Sequence, residues 1–284
     1  MGFFLTLLYK YYKLKLYCEV KKCNQEKLTK LKSHKVVIWL KSLWNMITLN
    51  KDLLPSKGKY YATDLYVKKL STIDIKNLST LTADTIDGVM NSIIAHCVQG
   101  INVNDILVGD KFWLIFYLRN LTYNDYPFYV KYNCKECGKT AMYKTQMKDI
   151  IVNYIQDDFN PTYTMNNGDT IEIGFPTIGN EISKNQILRE PEKYTVDGEI
   201  DEALLNIACY VKSINGSKIS IMKAYNYICE LDALSFTNFG NYMADIDFGV
   251  KPYFEIPCDC TNKVIVPLSL SPEYFMPKIT NTGK

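Results

Sequence analysis

Between Asp110 and Leu121 the apolar side chains Trp113, Leu114, Tyr117, Leu118 and Leu121 recur at three- and four-residue steps, which is the spacing of one face of an α-helix. Asp110 precedes the run as an N-cap, because its carboxylate can take an orphan amide of the first turn. The helix is predicted to end near Asn120. The period then changes from 3.6 to two. After the turn residues Tyr123-Asn124-Asp125-Tyr126-Pro127, the side chains Phe128, Val130 and Tyr132 alternate with Tyr129, Lys131 and Asn133, which predicts a strand. Cys134-Lys135-Glu136-Cys137-Gly138-Lys139 follows as a tight turn, with Ala141 to Tyr143 as the returning strand. Gly138 can take the positive φ that lets two thiolates converge.

Elsewhere helical periods run over Ser71–Leu78, Asp84–Val98, Asn180–Leu188, Gly198–Val211, Met222–Leu234 and around Leu234–Met243, with a short weak helix at Met147–Tyr154. The Asp84–Val98 stripe carries Ile86, Val89, Met90, Ile93, Ile94 and Cys97 and stops at Gly100. Tyr60 to Leu70 reads as extended. Asn166-Asn167-Gly168-Asp169 predicts a hairpin turn. Residues 252–266 repeat the order of residues 128–144: strand, cysteine turn with Cys258 and Cys260, strand. Two lysine-dotted apolar segments fill the N-terminal region, the second from His34 to Trp44. Pro55-Ser56-Lys57-Gly58-Lys59 is the strongest turn-rich break, so a helical leader over residues 1–56 and a body over 57–284 are predicted. The fold class is α+β, with helices packed on two related, zinc-ribbon-like cysteine hairpins.

Charge divides along the same line. Ten lysines against Glu19 and Glu26 give residues 1–50 a charge of +8, which leaves −5 for the rest of a chain whose total is +3. An acidic body lacks the electrostatic footprint of a nucleic-acid binder. No apolar run reaches the length needed to cross a bilayer.

Nine cysteines, odd in number and scattered, do not make a secreted disulfide framework. Cys97, Cys209 and Cys229 sit in apolar helical surroundings and read as small core residues. His96, without a spaced partner, reads as a satisfied surface or core side chain. Cys134, Cys137, Cys258 and Cys260 are different, because two hairpins each offering two thiolates can supply the four soft ligands of structural zinc. Such a site contributes on the order of 10 kcal/mol in favourable cases. Two other readings stay open: reduced thiols in hairpins held by packing alone, and a redox pair at Cys134 and Cys137. The C-x-C of Cys258 and Cys260 departs from the doubled C-x-x-C of zinc ribbons. No H-E-x-x-H, P-loop or G-x-S-x-G is present, so a non-enzymatic protein is expected.

The run LVGDKFWLIFYLRNLTYNDYPFYVKYNCKECGKT, from Leu107 to Thr140, resembles the baseplate hub proteins of T-even-like contractile phages, in which a GD…LR…Y…C-x-x-C-G pattern recurs. The resemblance is close from Tyr60 to Ile150 and looser from there to Met276. It includes Phe175-Pro176-Thr177, where the family has a turn into a helix. At the family's LR position, Arg119 is expected to pair with an acid such as Asp110.

The resemblance implies phage tail morphogenesis, as a structural subunit or assembly factor of the central hub that acts by protein–protein contact. Its partners would be other hub and tail proteins, or further copies of itself, and it would sit in the host cytoplasm during assembly and in the tail baseplate. Tyr123, Tyr126 and Phe128, large aromatics beside the cysteine turn, are the expected contact residues. A zinc-ribbon nucleic-acid module is the alternative.

Overall fold

The computed structural model describes residues 46–268, apart from 83, 196–198 and 261. The predicted helices around His34–Trp44, together with Cys18 and Cys23, lie outside the described residues. One compact unit begins at Ile47. Residues 47–56, assigned above to the leader, are part of it: Leu49, Leu54 and Ser56 are buried. Strand β1 (Ile47–Thr48) pairs with β2 (Tyr66–Val67), which pairs in turn with β3 (Val98–Gln99). The turn residues around Pro55 are therefore a bend inside the body, and of the extended stretch Tyr60–Leu70 only β2 has strand partners.

Helices α1 (Thr72–Ser79) and α2 (Ile86–Cys97) follow the predicted periods. At the centre lies α3 (Val108–Tyr123), in which Trp113, Leu114, Ile115, Phe116 and Leu118 are buried together with Asp110, Lys111 and Arg119. A helix apolar on several faces belongs inside a domain, and α3 is covered by α2 on one side and by α4 (Ile178–Arg189) on another. A cation ties both neighbours to it. Lys111 is fully buried, with Nζ 2.7 Å from both Asp87 of α2 and Glu181 of α4, so its charge is matched where an unpaired one would be costly.

Asp110 does not cap α3. Leu107 holds the N-cap position, while the buried Asp110 carboxylate accepts from the Ser56 amide at 2.9 Å and the Tyr61 hydroxyl at 2.6 Å. Arg119 lies about 13 Å further along the helix and donates to the carbonyls of Tyr126 and Pro127 at 2.6 and 3.3 Å. The expected pairing with Asp110 is thus excluded by distance, and Asp110 serves the entry of the chain into the body. Helix α3 runs three residues past Asn120 and stops where Asn124 adopts a left-handed conformation, φ 50°.

The two cysteine hairpins are β4 (Phe128–Asn133) with β5 (Thr140–Thr145), and β12 (Tyr253–Pro257) with β13 (Lys263–Pro267). Between them in sequence, β6 (Val152–Asn153) pairs with β11 (Gly249–Val250). A four-stranded antiparallel sheet has the order β10 (Ser217–Lys218), β9 (Val211–Ile214), β8 (Thr170–Ile173), β7 (Thr162–Thr164). The predicted turn at Asn166–Asp169 joins β7 to β8. Helix α5 (Glu202–Ala208) is shorter than expected, because Val211 and Ser213 turn inward with a period of two and join the sheet. Met147–Tyr154 forms a 3-10 turn over Met147–Asp149 and then β6, since β11 offers that segment a strand partner. Helices α6 (Ile221–Cys229) and α7 (Ala233–Ile246) complete the α+β body. Cys97 and Cys209 are buried as expected, whereas Cys229, at the C-terminal end of α6, is exposed.

Candidate metal centre

Each cysteine turn is closed by its own backbone. In the first, the Cys134 amide donates to the Lys139 carbonyl and the Gly138 amide to the Cys134 carbonyl, both at 2.9 Å. Gly138 has φ +70°, and a Cβ there would meet nothing within 4 Å, so conformation rather than space calls for glycine. In the second, the Cys258 amide donates to Asn262 at 2.9 Å. Three contacts bring the hairpins together: Phe128 against Phe254 with ring centroids 5.9 Å apart, β4 against β13, and the Lys139 ammonium on the Asp259 carboxylate.

These contacts place the four thiols at one point. Cys134 Sγ lies 3.7 Å from Cys260 Sγ and Cys137 Sγ lies 3.6 Å from Cys258 Sγ, and all four sulfurs fall within 4.8 Å of one another. A disulfide needs about 2.05 Å. A tetrahedron of thiolates at a zinc–sulfur distance of about 2.3 Å has sulfur–sulfur edges of about 3.8 Å, so the observed spacings fit four ligands around one ion. Each cysteine of one hairpin thus has a near neighbour on the other. Cys134 and Cys258 are buried, Cys260 is partly covered and Cys137 is exposed. The Cys137 amide, outweighing burial, holds the Cys134 thiol down to about 7. At Cys137 the Lys139 amide acts downward, but the thiol of Cys258, burial and the other two sulfurs together push it up to about 12. Sulfurs this close cannot all carry charge without a cation among them, and a bound cation would remove that conflict.

Phe128, Tyr123 and Tyr126 are not a surface cluster. Phe128 is 2% exposed and stacks on Phe116 at 6.1 Å, while Tyr123 and Tyr126 are half-buried. The Arg119 guanidinium lies over the rings of Phe128 and Tyr123 at 5.0 and 5.7 Å, so this group fixes the hairpin to the end of α3. The residues that do face outward are Tyr129 and Met142, 47% and 57% exposed. The alternation along β4 already carried that signal, since a buried Phe128 puts its neighbour on the other face.

A second group, Asp74, His96 and Cys97, is also drawn together. Asp74 accepts from the Ser71 amide and hydroxyl at 2.7 and 2.6 Å and meets His96 Nδ1 at 2.9 Å. Burial, foremost, pushes the Cys97 thiol up to about 12. The carboxylate is already committed to the capping box of α1, so this group ties α1 to α2, and His96 is a satisfied side chain.

Residues 46–271 match the family described as T4 bacteriophage base plate protein. The chain belongs to that family. The match takes in β1, the central helix and both cysteine hairpins of this base plate protein, while no curated protein and no solved structure matches it. A structural role in the phage base plate, in contact with other phage structural proteins, follows at the level of the family. Among the described residues no helix is long and apolar enough to cross a membrane.

Proposed function

We propose that this base plate protein serves the central hub, as a subunit or as a factor in its assembly, and that it works by contact rather than by turnover. The observation that carries the reading is the family match across residues 46–271. The Leu107–Thr140 run supports the hub in particular, and its physical logic is consistent with a rigid contact module. Gly109-Asp110 seats α3, Arg119 anchors the first hairpin to the end of α3, and the cysteine turn joins that hairpin to the second.

The four sulfurs of Cys134, Cys137, Cys258 and Cys260 would hold one structural zinc ion, supplying free energy of folding and no open coordination position for chemistry. Protein surface rather than nucleic acid is the partner, because the chain beyond residue 50 carries a net charge of −5.

The test is a phage lacking the gene. Infected cells should accumulate filled heads without complete contractile tails, and a plasmid copy should restore them. Normal tails in the deletion strain would overturn the proposal.

A further inference from the structure

The outward face of the first cysteine hairpin has a character that the second lacks. Tyr129 and Lys131 on β4 stand directly across from Lys144 and Met142 on β5. Residues two apart share a face, so these four side chains form a square in which apolar and basic groups alternate. Both lysines are exposed, as are Tyr129 and Met142.

Some lysines of the body meet acids, Lys59 on Asp157, Lys139 on Asp259 and Lys193 on Glu190, whereas other exposed ones, among them Lys76, Lys148 and Lys223, form no ion pair among the described residues. On the second hairpin, Lys263 closes on Glu255 at 2.8 Å and neutralises that face internally. Lys131 and Lys144 have no ion-pair partner among the described residues. Their cross-strand places, where an acid would stabilise the pair, are taken by Met142 and Tyr129.

The backbone adds a second element. β4 and β5 form a sheet of only two strands, so the six-residue outer edge of β5 has no strand beside it among the described residues. Open edges of this length are templates for another strand. The edge is also held in place, by Arg119 at one end of the hairpin and by the cysteine junction at the other.

We propose that this edge takes an extended, acidic segment of another phage structural protein, added beside β5 as a further strand. Main-chain hydrogen bonds would supply register-independent affinity. An apolar side chain opposite Met142 and a carboxylate two residues along, opposite Lys144 and within reach of Lys131, would supply the selection. The proposal rests on the contact role proposed above, but its test does not need the hub placement and can fail separately from it.

The full chain is titrated with a short labelled peptide carrying Glu and Val alternately on one face. Parallel titrations use the same peptide with Lys for Glu, one with interspersed prolines, and a single-stranded DNA oligonucleotide. The acidic peptide should bind, weaken as salt rises, and shift the backbone amide resonances of residues 140–145. Lys131→Glu/Lys144→Glu should weaken it about tenfold or more with an unchanged melting temperature. Lys131→Gln/Lys144→Gln should weaken it less, and it serves as the reading if the reversed variant fails to fold. The lysine and proline peptides should not bind. Equal binding of the acidic and basic peptides, or amide shifts confined to other elements, would overturn the proposal. Tighter binding of the oligonucleotide, lost with the same two lysines, would overturn it in favour of nucleic acid.

Discussion

Asp74 shows how a side chain that looks chemical can be structural. Burial acts to raise its pKa, but the Ser71 hydroxyl and amide and then His96 act the other way and hold the carboxyl below the ordinary aspartate range. The unfolded chain, with a carboxyl pKa of about 3.9, therefore binds protons more readily than the folded one. The stabilisation is fully present above about pH 4 and is lost as pH falls through the lowered folded value. Ser71, His96, Cys97 and, through Cys97, Lys68 are the groups around it. Asp74→Asn keeps the shape and removes the charge. It should lower stability at neutral pH by about 1 kcal/mol, and the gap to the natural protein should close in denaturant titrations at a pH below the lowered folded value. A gap that persists at that pH would assign the effect to packing. Phe128 carries the opposite lesson: expected at a contact surface, it is the anchor of the hairpin instead, because strand alternation decides burial before size or aromaticity does.

At the scale of elements, α3 and β11 are held close by glycine. A Cβ on Gly109 would lie 2.5 Å from the Phe248 ring and 2.7 Å from the Phe248 carbonyl oxygen, too near for either to yield without moving β11. Gly109→Ala should therefore destabilise the fold by roughly 1–3 kcal/mol. Gly88→Ala on α2, where a Cβ meets nothing within 4 Å, should stabilise it by roughly 0.5–1 kcal/mol. Thermal unfolding of the two variants side by side checks both signs.

The same scale shows where sequence reading succeeds. Helices α1, α2, α3 and α7 and both cysteine hairpins were legible because each keeps one period and is bounded by turn residues or a cap. The segments Gly198–Val211 and Met147–Tyr154 were not. Each contains a helical or 3-10 start followed by a short strand, and the partner that makes it a strand, β8 or β11, is distant in sequence. The body starts earlier than expected for a related reason: Pro55 and Gly58 mark a turn equally well at a boundary or inside a core, and it is the pairing of β1 with β2, the burial of Leu49 and Leu54 and the Ser56–Asp110 hydrogen bond that distinguish the two.

For the whole molecule, the decisive feature is that residues 134 and 260, 126 positions apart in sequence, meet at one point. The residue types and the two turns were readable from sequence. The crossing of Cys134 with Cys260 and of Cys137 with Cys258 was not, because it depends on how β4 packs on β13. If those sulfurs hold a metal, the hairpins form one rigid platform for base plate contacts, and the first hairpin presents its face in a fixed direction. Metal analysis of the full chain, purified under reducing conditions with zinc supplied, tests this most directly. The account predicts about one zinc ion per chain, lost in Cys258→Ser/Cys260→Ser together with several degrees of melting temperature. A natural protein that stays metal-free under those conditions, with its hairpins folded and its melting temperature equal to that of the double variant, would contradict it.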